Sequence, residues 1–223
     1  MALSKLATIV VYLFSFFTIF EAAAQGVGSG IRFSGIKGSG GVGIIEYSVL
    51  SPNTAFRIDD GIFATLQGET DLSFLKLTAS LNYLKSEGRS NYNYSTLTQN
   101  YTASDLAFDT TAFELGLGLK LPLLPPPLSP YIEGGGLVGY HQIKYKGDLS
   151  QLTAQGSDFK RDDGITELGY YAEAGLEVVF SETFGLRVAY RYQKMETRPV
   201  STLGDQKIVF DARVMHLTVL KSF

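Results

Sequence analysis

Residues 166–194 read TELGYYAEAGLEVVFSETFGLRVAYRYQK, and their alternation decides the fold. One parity carries Leu168, Tyr170, Ala172, Ala174, Leu176, Val178 and Phe180, and resumes after Ser181-Glu182-Thr183 as Phe184, Leu186, Val188, Tyr190 and Tyr192. The other carries Glu167, Gly169, Tyr171, Glu173, Gly175 and Glu177, then Gly185, Arg187, Ala189, Arg191 and Gln193. A period of two is the strand period, so the stretch predicts two strands, each with an apolar and a polar face. A soluble sandwich needs strands of only about 5 or 6 residues. These are about twice that length, which is what a bilayer demands: roughly 9 to 11 residues, apolar side outward and polar side in a lumen.

Parity also fixes the register of this hairpin. Directly opposed residues must have numbers summing to an even value unless a bulge intervenes. Pairing Phe180 with Phe184 across the turn sets Glu177 against Arg187 and Glu173 against Arg191 on the inner face, and Leu176 against Val188 on the outer one. The two opposite-charge pairs are the expected interior ion pairs, with Cβ atoms roughly 4.5 to 5.5 Å apart. Lys76, Glu114, Lys120, Glu133 and Glu167 belong to polar faces of the same kind. Two carboxylates on one strand also fit glycosidase chemistry. Buried charges must be paired, however, and an eight-stranded lumen is only just wide enough for side chains to fill. A structural ion-pair core is therefore expected, without catalysis and without a wide aqueous pore.

The same alternation extends along the chain. Phe113, Leu115, Leu117, Leu119 and Leu121 form one apolar face, and Leu75, Leu77, Ala79, Leu81 and Tyr83 another. Tyr131 to Lys146 is a glycine-rich strand with Ile132, Val138 and Tyr140 on one parity and Glu133 on the other. The last strand, about Ile208 to Phe223, carries Met215, Leu217, Val219 and Phe223 on one parity but Ile208, Phe210, Ala212 and Val214 on the other, which predicts a bulge between Ala212 and Met215. Ile31–Ser48 and Phe56–Gln67 supply two weaker strands with a loop near Ser51-Pro52-Asn53. Eight strands result, with ten as the alternative, in a closed antiparallel up-and-down all-β barrel. The stretch 121–130 reads as a proline-rich turn rather than a polyproline ligand. Gly147–Ile165 and Glu196–Lys207 read as loops. So does Ser86–Asp109, whose Tyr92, Tyr94 and Tyr101 among Asn, Ser and Thr make adaptable surface contacts.

Residues 1–24 carry Lys5, an apolar run from Leu6 to Phe20 and Ala22-Ala23-Ala24, the pattern of a cleaved secretory signal peptide, so the mature barrel domain is expected at 25–223. Removing the leader takes one Lys and one Glu and leaves the net charge at -3, too little to imply nucleic acid or a strongly charged partner. There is no Cys, hence no disulfide and no thiolate chemistry. No later segment reaches the 18 or so apolar residues of a membrane helix, and only helices and closed barrels satisfy every backbone group in lipid.

Other motifs carry bland readings. Gly38-Ser39-Gly40-Gly41-Val42-Gly43 matches G-x-G-x-x-G, with Asp59 or Asp60 near the spacing of a ribose-binding acid, but a dinucleotide site needs a helix after the glycines. Glycines in a curved first strand are the simpler account. His141 and His216 are the only histidines. His216 with Thr218 two residues on is a weak candidate for lipid-modifying chemistry, which would also require a carboxylate and exposure to lipid. Neither enzyme activity nor a metal or cofactor is expected.

The leader ending at Ala24, the alternating strands, the segment PYIEGGGLVGY at 130–140 and the terminal HLTVLKSF at 216–223 together resemble the small Gram-negative outer-membrane β-barrel superfamily, the OmpX/OmpW/PorT-like group. The resemblance implies residence in the outer-membrane lipid, no cofactor, and Phe223 as the signal read by the barrel-assembly machinery. The expected product is a monomeric outer-membrane barrel with a packed polar interior and a structural or surface-interaction role. A small channel or binding barrel for small solutes, apolar ones included, is the alternative, and a soluble lipocalin-like carrier a third.

Overall fold

The computed structural model describes residues 37–50, 56–95, 100–146, 162–197 and 209–222. They form strands β1 (Lys37–Leu50), β2 (Phe56–Ile58), β3 (Gly61–Leu72), β4 (Leu75–Ser95), β5 (Asn100–Pro122), β6 (Leu128–Tyr145), β7 (Asp162–Val179), β8 (Phe184–Thr197) and β9 (Val209–Ser222). All neighbours pair antiparallel. β2 and β3 both pair with β4, and the register slips by one residue between Ile58↔Gly88 and Ile62↔Lys85, so they form a single stave with a bulge near Asp59-Asp60. β1 pairs with β3 on one side and β9 on the other, which closes an eight-staved, up-and-down barrel.

The stagger follows from the pairings. A row of partners starting at Val219 runs through Gly40, Leu66, Leu81, Leu115, Val138, Leu168 and Glu196 and returns to β9 at Val209, ten residues from its start. That shear tilts the strands by about 40° from the barrel axis. Three connections are tight: Ser73-Phe74, where Ser73 takes the left-handed φ of 59°, residues 123–127, and residues 180–183. All three lie at one end, and the two longest connections, between β6 and β7 and between β8 and β9, join strands at the other.

Closure brings β1 and β9 together in part through small residues. A Cβ at Gly43 would collide with the Met215 carbonyl oxygen and with His216 Cβ, so glycine there is required by the approach of the two strands. The fingerprint-like glycines at 38–43 thus lie in a strand, with no helix following them.

Three expectations about the strands need correction. No bulge separates Ala212 from Met215: β9 keeps unbroken register with both β1 and β8, so Phe210, Ala212 and Val214 share the inner face with His216 and Thr218. Nor is Ser86–Asp109 a loop. Its residues up to Ser95 and from Asn100 continue β4 and β5, with Tyr92 opposite Ala103 and Tyr94 opposite Tyr101. A ribbon standing clear of the bilayer has polar side chains on both faces, so hydrophobic alternation is silent there. The side chains of Tyr92, Tyr94 and Tyr101, and Phe223 altogether, lie outside the described residues. β7 also begins earlier than expected, at Asp162.

Candidate functional site: the barrel interior

The outward face is apolar through the middle of the barrel, with Leu115, Leu117, Leu168, Val188 and Leu217 each more than half exposed. Tyr83, Phe113, Tyr140, Tyr170 and Tyr190 face outward toward the long-connection end and Phe74, Phe180 and Phe184 toward the other, as aromatic girdles do at the two boundaries of a bilayer.

Inside, the charged side chains fall into levels. Nearest the short turns, Lys120 bridges Glu69 (2.9 Å) and Glu177, and Arg187 bridges the same two carboxylates, its Nε donating to Glu177 Oε1 at 2.7 Å and its Nη2 standing 3.0 Å from Glu69 Oε2. Lys76 adds a third cation to Glu69 at 3.0 Å. Lys120 and Arg187 both lie over the ring of Tyr131. Two carboxylates and three cations from five staves thus hold each other across the lumen. A buried charge needs this, because the low dielectric makes an unpaired one costly.

One level up, Glu173 is the acceptor for three groups. Arg191 Nε donates to its Oε2 at 2.6 Å, Tyr131 donates to its Oε1 at 2.6 Å, and His216 Nε2 lies 3.2 Å from Oε2. The Arg191 guanidinium stacks over Tyr171 (4.4 Å) and lies 5.7 Å from Phe63. Neither Arg191 Nη has a hydrogen-bond partner among the described residues, so the ring faces are what these nitrogens meet. Glu133 beside it accepts from Gln67 (3.0 Å), Thr78 (2.9 Å) and Tyr171 (2.7 Å).

The upper level departs from the expected polar filling. Ile45, Phe63, Leu84, Ala112, Ala212 and Val214 form an apolar cluster inside the barrel. Leu137, Tyr171 and Met195 form a second. Opposite, Glu114 accepts from Gln193 (2.9 Å) and Asn82 (3.3 Å), and His141 Nδ1 stands 2.6 Å from Glu167 Oε2. Hence the lumen is polar toward the short turns and mixed toward the long connections. At the far rim Lys146 lies against Asp109 and Glu87, and hydrogen bonds to these carboxylates, Asp109 first, hold its ammonium above the ordinary lysine range.

The structure places Glu177 opposite Arg187 and Glu173 opposite Arg191 on the β7–β8 ladder. Sequence reasoning missed their remote partners, Glu69, Gln67, Tyr131 and Tyr171, whose strands are brought together only by the shear. The structure does join His216 (Nδ1) to Thr218 Oγ1 at 3.0 Å, the pair the sequence singled out, and adds the carboxylate that sequence reasoning did not supply, Glu173. That trio has the hydroxyl, imidazole and carboxylate of a nucleophilic triad. All three side chains are buried in the lumen rather than facing lipid, and Arg191 shares the carboxylate. Among the described residues no group of three or more His, Asp or Glu is arranged to hold a metal ion.

Comparison with known proteins settles the family. Residues 10–223 match the model of the outer membrane protein beta-barrel domain. The chain belongs to that family of outer-membrane β-barrels. Its backbone is similar to Neisserial surface protein A, with a TM-score of 0.55 at 12% identity over 85% of this chain and 97% of that one. It is equally similar to the outer membrane protein OprG from Pseudomonas aeruginosa, with a TM-score of 0.55 at 16% identity over 87% of this chain and 98% of that one. At such identities the likeness is one of fold. Among curated protein sequences nothing matches. Family membership implies the bacterial outer membrane.

Proposed function

We propose that this barrel is a closed, non-conducting outer-membrane anchor that carries its β4–β5 hairpin at the cell surface for interaction. The filled lumen carries this reading: Lys120, Arg187, Arg191 and Glu114 have no exposed surface, and their bonds cross the barrel rather than line a channel. The hairpin supports the second half. β4 and β5 have 21 and 23 residues against 14 in each of β1, β8 and β9, so they project beyond the wall at the outer end. Export by a leader at 1–24, assembly through Phe223 by the barrel-assembly machinery, a monomeric state and the absence of a catalytic step belong to the same reading. Single-channel recording in planar bilayers tests it: the protein inserts without discrete conductance steps. Reproducible ohmic steps from the purified protein are incompatible with a sealed lumen.

One observation favours a second reading, a barrel that binds small apolar solutes. The apolar cluster around Ile45 and Phe63 lies at the outer half, and beyond Ile45 strand β1 pairs only with β9 among the described strands. Saturable binding of a hydrocarbon probe that is lost in Phe63→Gln supports this second reading, and an absence of binding removes it.

A further inference from the structure

The outward face is not the same height all round. On β9 the outward residues run Arg213, Met215, Leu217, Val219, Lys221, so only three apolar positions separate two cations eight residues apart. On β5, across the barrel, they run from Asp109 and Thr111 through Phe113, Leu115, Leu117, Leu119 and Leu121 to the exposed Leu123 and Leu124 of the turn, fifteen residues beyond Asp109 without another outward charge. β6 is similar, with Ile132, Gly134, Gly136, Val138 and Tyr140 below Gln142 and Lys144.

With a rise of about 3.4 Å per residue and a tilt of about 40°, each residue climbs roughly 2.6 Å along the barrel axis. The charge-to-charge height is then about 21 Å on β9, and about 34 Å from Asp109 to Pro122, where β5 ends. An outer-membrane barrel normally presents an apolar band about 25 Å tall. The β9 side falls short of that and the β5 side exceeds it.

Tilting the barrel as a rigid body does not remove the difference. Tilt moves the upper and lower boundaries of one side together, whereas on β9 they lie closer to each other. Side chains that snorkel relieve part of such a mismatch, but the upper boundary is set on both sides of β9 by opposite charges in register, Arg213 with Glu46 and Asp211 with Lys194. Glu46 and Asp211 are too short to reach far. What remains is deformation of the lipid.

We infer that the bilayer is thinned locally along β9, where the last strand closes against the first, and that the lipid contacting this strand is compressed relative to that on β5 and β6. The inference concerns the lipid around the barrel and is independent of whether the lumen conducts.

The chain has no Trp, so a single introduced indole reports depth cleanly. Leu217→Trp on β9 and Leu117→Trp on β5 are both lipid-facing and near the middle of their apolar runs. Each variant is reconstituted into vesicles of long-chain phosphatidylcholine brominated either near the headgroup or deep in the chain. The expected shallow-to-deep quenching ratio for Leu217→Trp is roughly twice that for Leu117→Trp, because headgroups approach a thinned patch from both leaflets. Equal ratios overturn the inference. Arg213→Leu gives an independent reading by urea titration: it stabilises the barrel more in long-chain than in short-chain vesicles. A chain-length-independent effect overturns the inference equally.

Discussion

Arg191 and Glu173 face each other across the β7–β8 ladder with Nε to Oε2 at 2.6 Å, and neither side chain reaches solvent. In that setting the pair is an obligation more than a gain. The guanidinium is desolvated between Tyr171 and Phe63, and Glu173 retains only neutral or weakly basic partners, Tyr131 and His216, once Arg191 is gone. Arg191→Ala and Glu173→Ala should each cost about 3 to 5 kcal/mol, and the double variant clearly less than their sum. Urea titration of the four proteins in lipid vesicles measures this. Additive losses mean the two charges do not depend on each other.

Closure of the barrel makes a second prediction. Gly43→Ala forces its methyl into the backbone of Met215 and His216 and should destabilise by about 1 to 3 kcal/mol, since the two strands must move apart. Gly136 faces outward, where the nearest atom to an added Cβ is the Gly169 carbonyl oxygen at 3.9 Å. Gly136→Ala is therefore tolerated. Similar losses at both sites, read by urea titration, mean that the β1–β9 approach is looser than described.

The lipid-facing parity is tested by charge. Val188→Arg places a guanidinium in the apolar band and should cost about 2 to 4 kcal/mol if the site is close to the midplane. Glu182→Arg in the exposed turn should leave stability in vesicles nearly unchanged. Equal tolerance of the two substitutions would mean that Val188 does not face hydrocarbon.

Much of this was readable from residues 166–194 alone, because a three-residue turn and constant parity leave one register in which both faces are coherent. The upper lumen was not. Phe210, Ala212 and Val214 are apolar and so read as lipid-facing, since hydrophobicity by itself does not tell hydrocarbon outside from an apolar cluster inside. The signal that separates them is the charged opposite parity, Asp211 and Arg213, continuous with the outward Met215 and Leu217. The cross-lumen partners Glu69, Gln67 and Tyr131 were hidden for another reason. Which strands approach across the barrel depends on the ten-residue shear, and shear is a property of the closed sheet rather than of any one strand.

Cysteine scanning of residues 186–190 in the reconstituted barrel tests the central claim most directly, because the chain has no Cys of its own. A lipid-phase thiol reagent should modify Cys at Leu186, Val188 and Tyr190, while a water-soluble maleimide should reach none of these and should not enter the packed lumen at Ala189, which is 3% exposed. Ready modification at Ala189 by the water-soluble reagent, or loss of the alternation in the lipid-phase reagent, would contradict a barrel with hydrocarbon on one face and a sealed interior on the other.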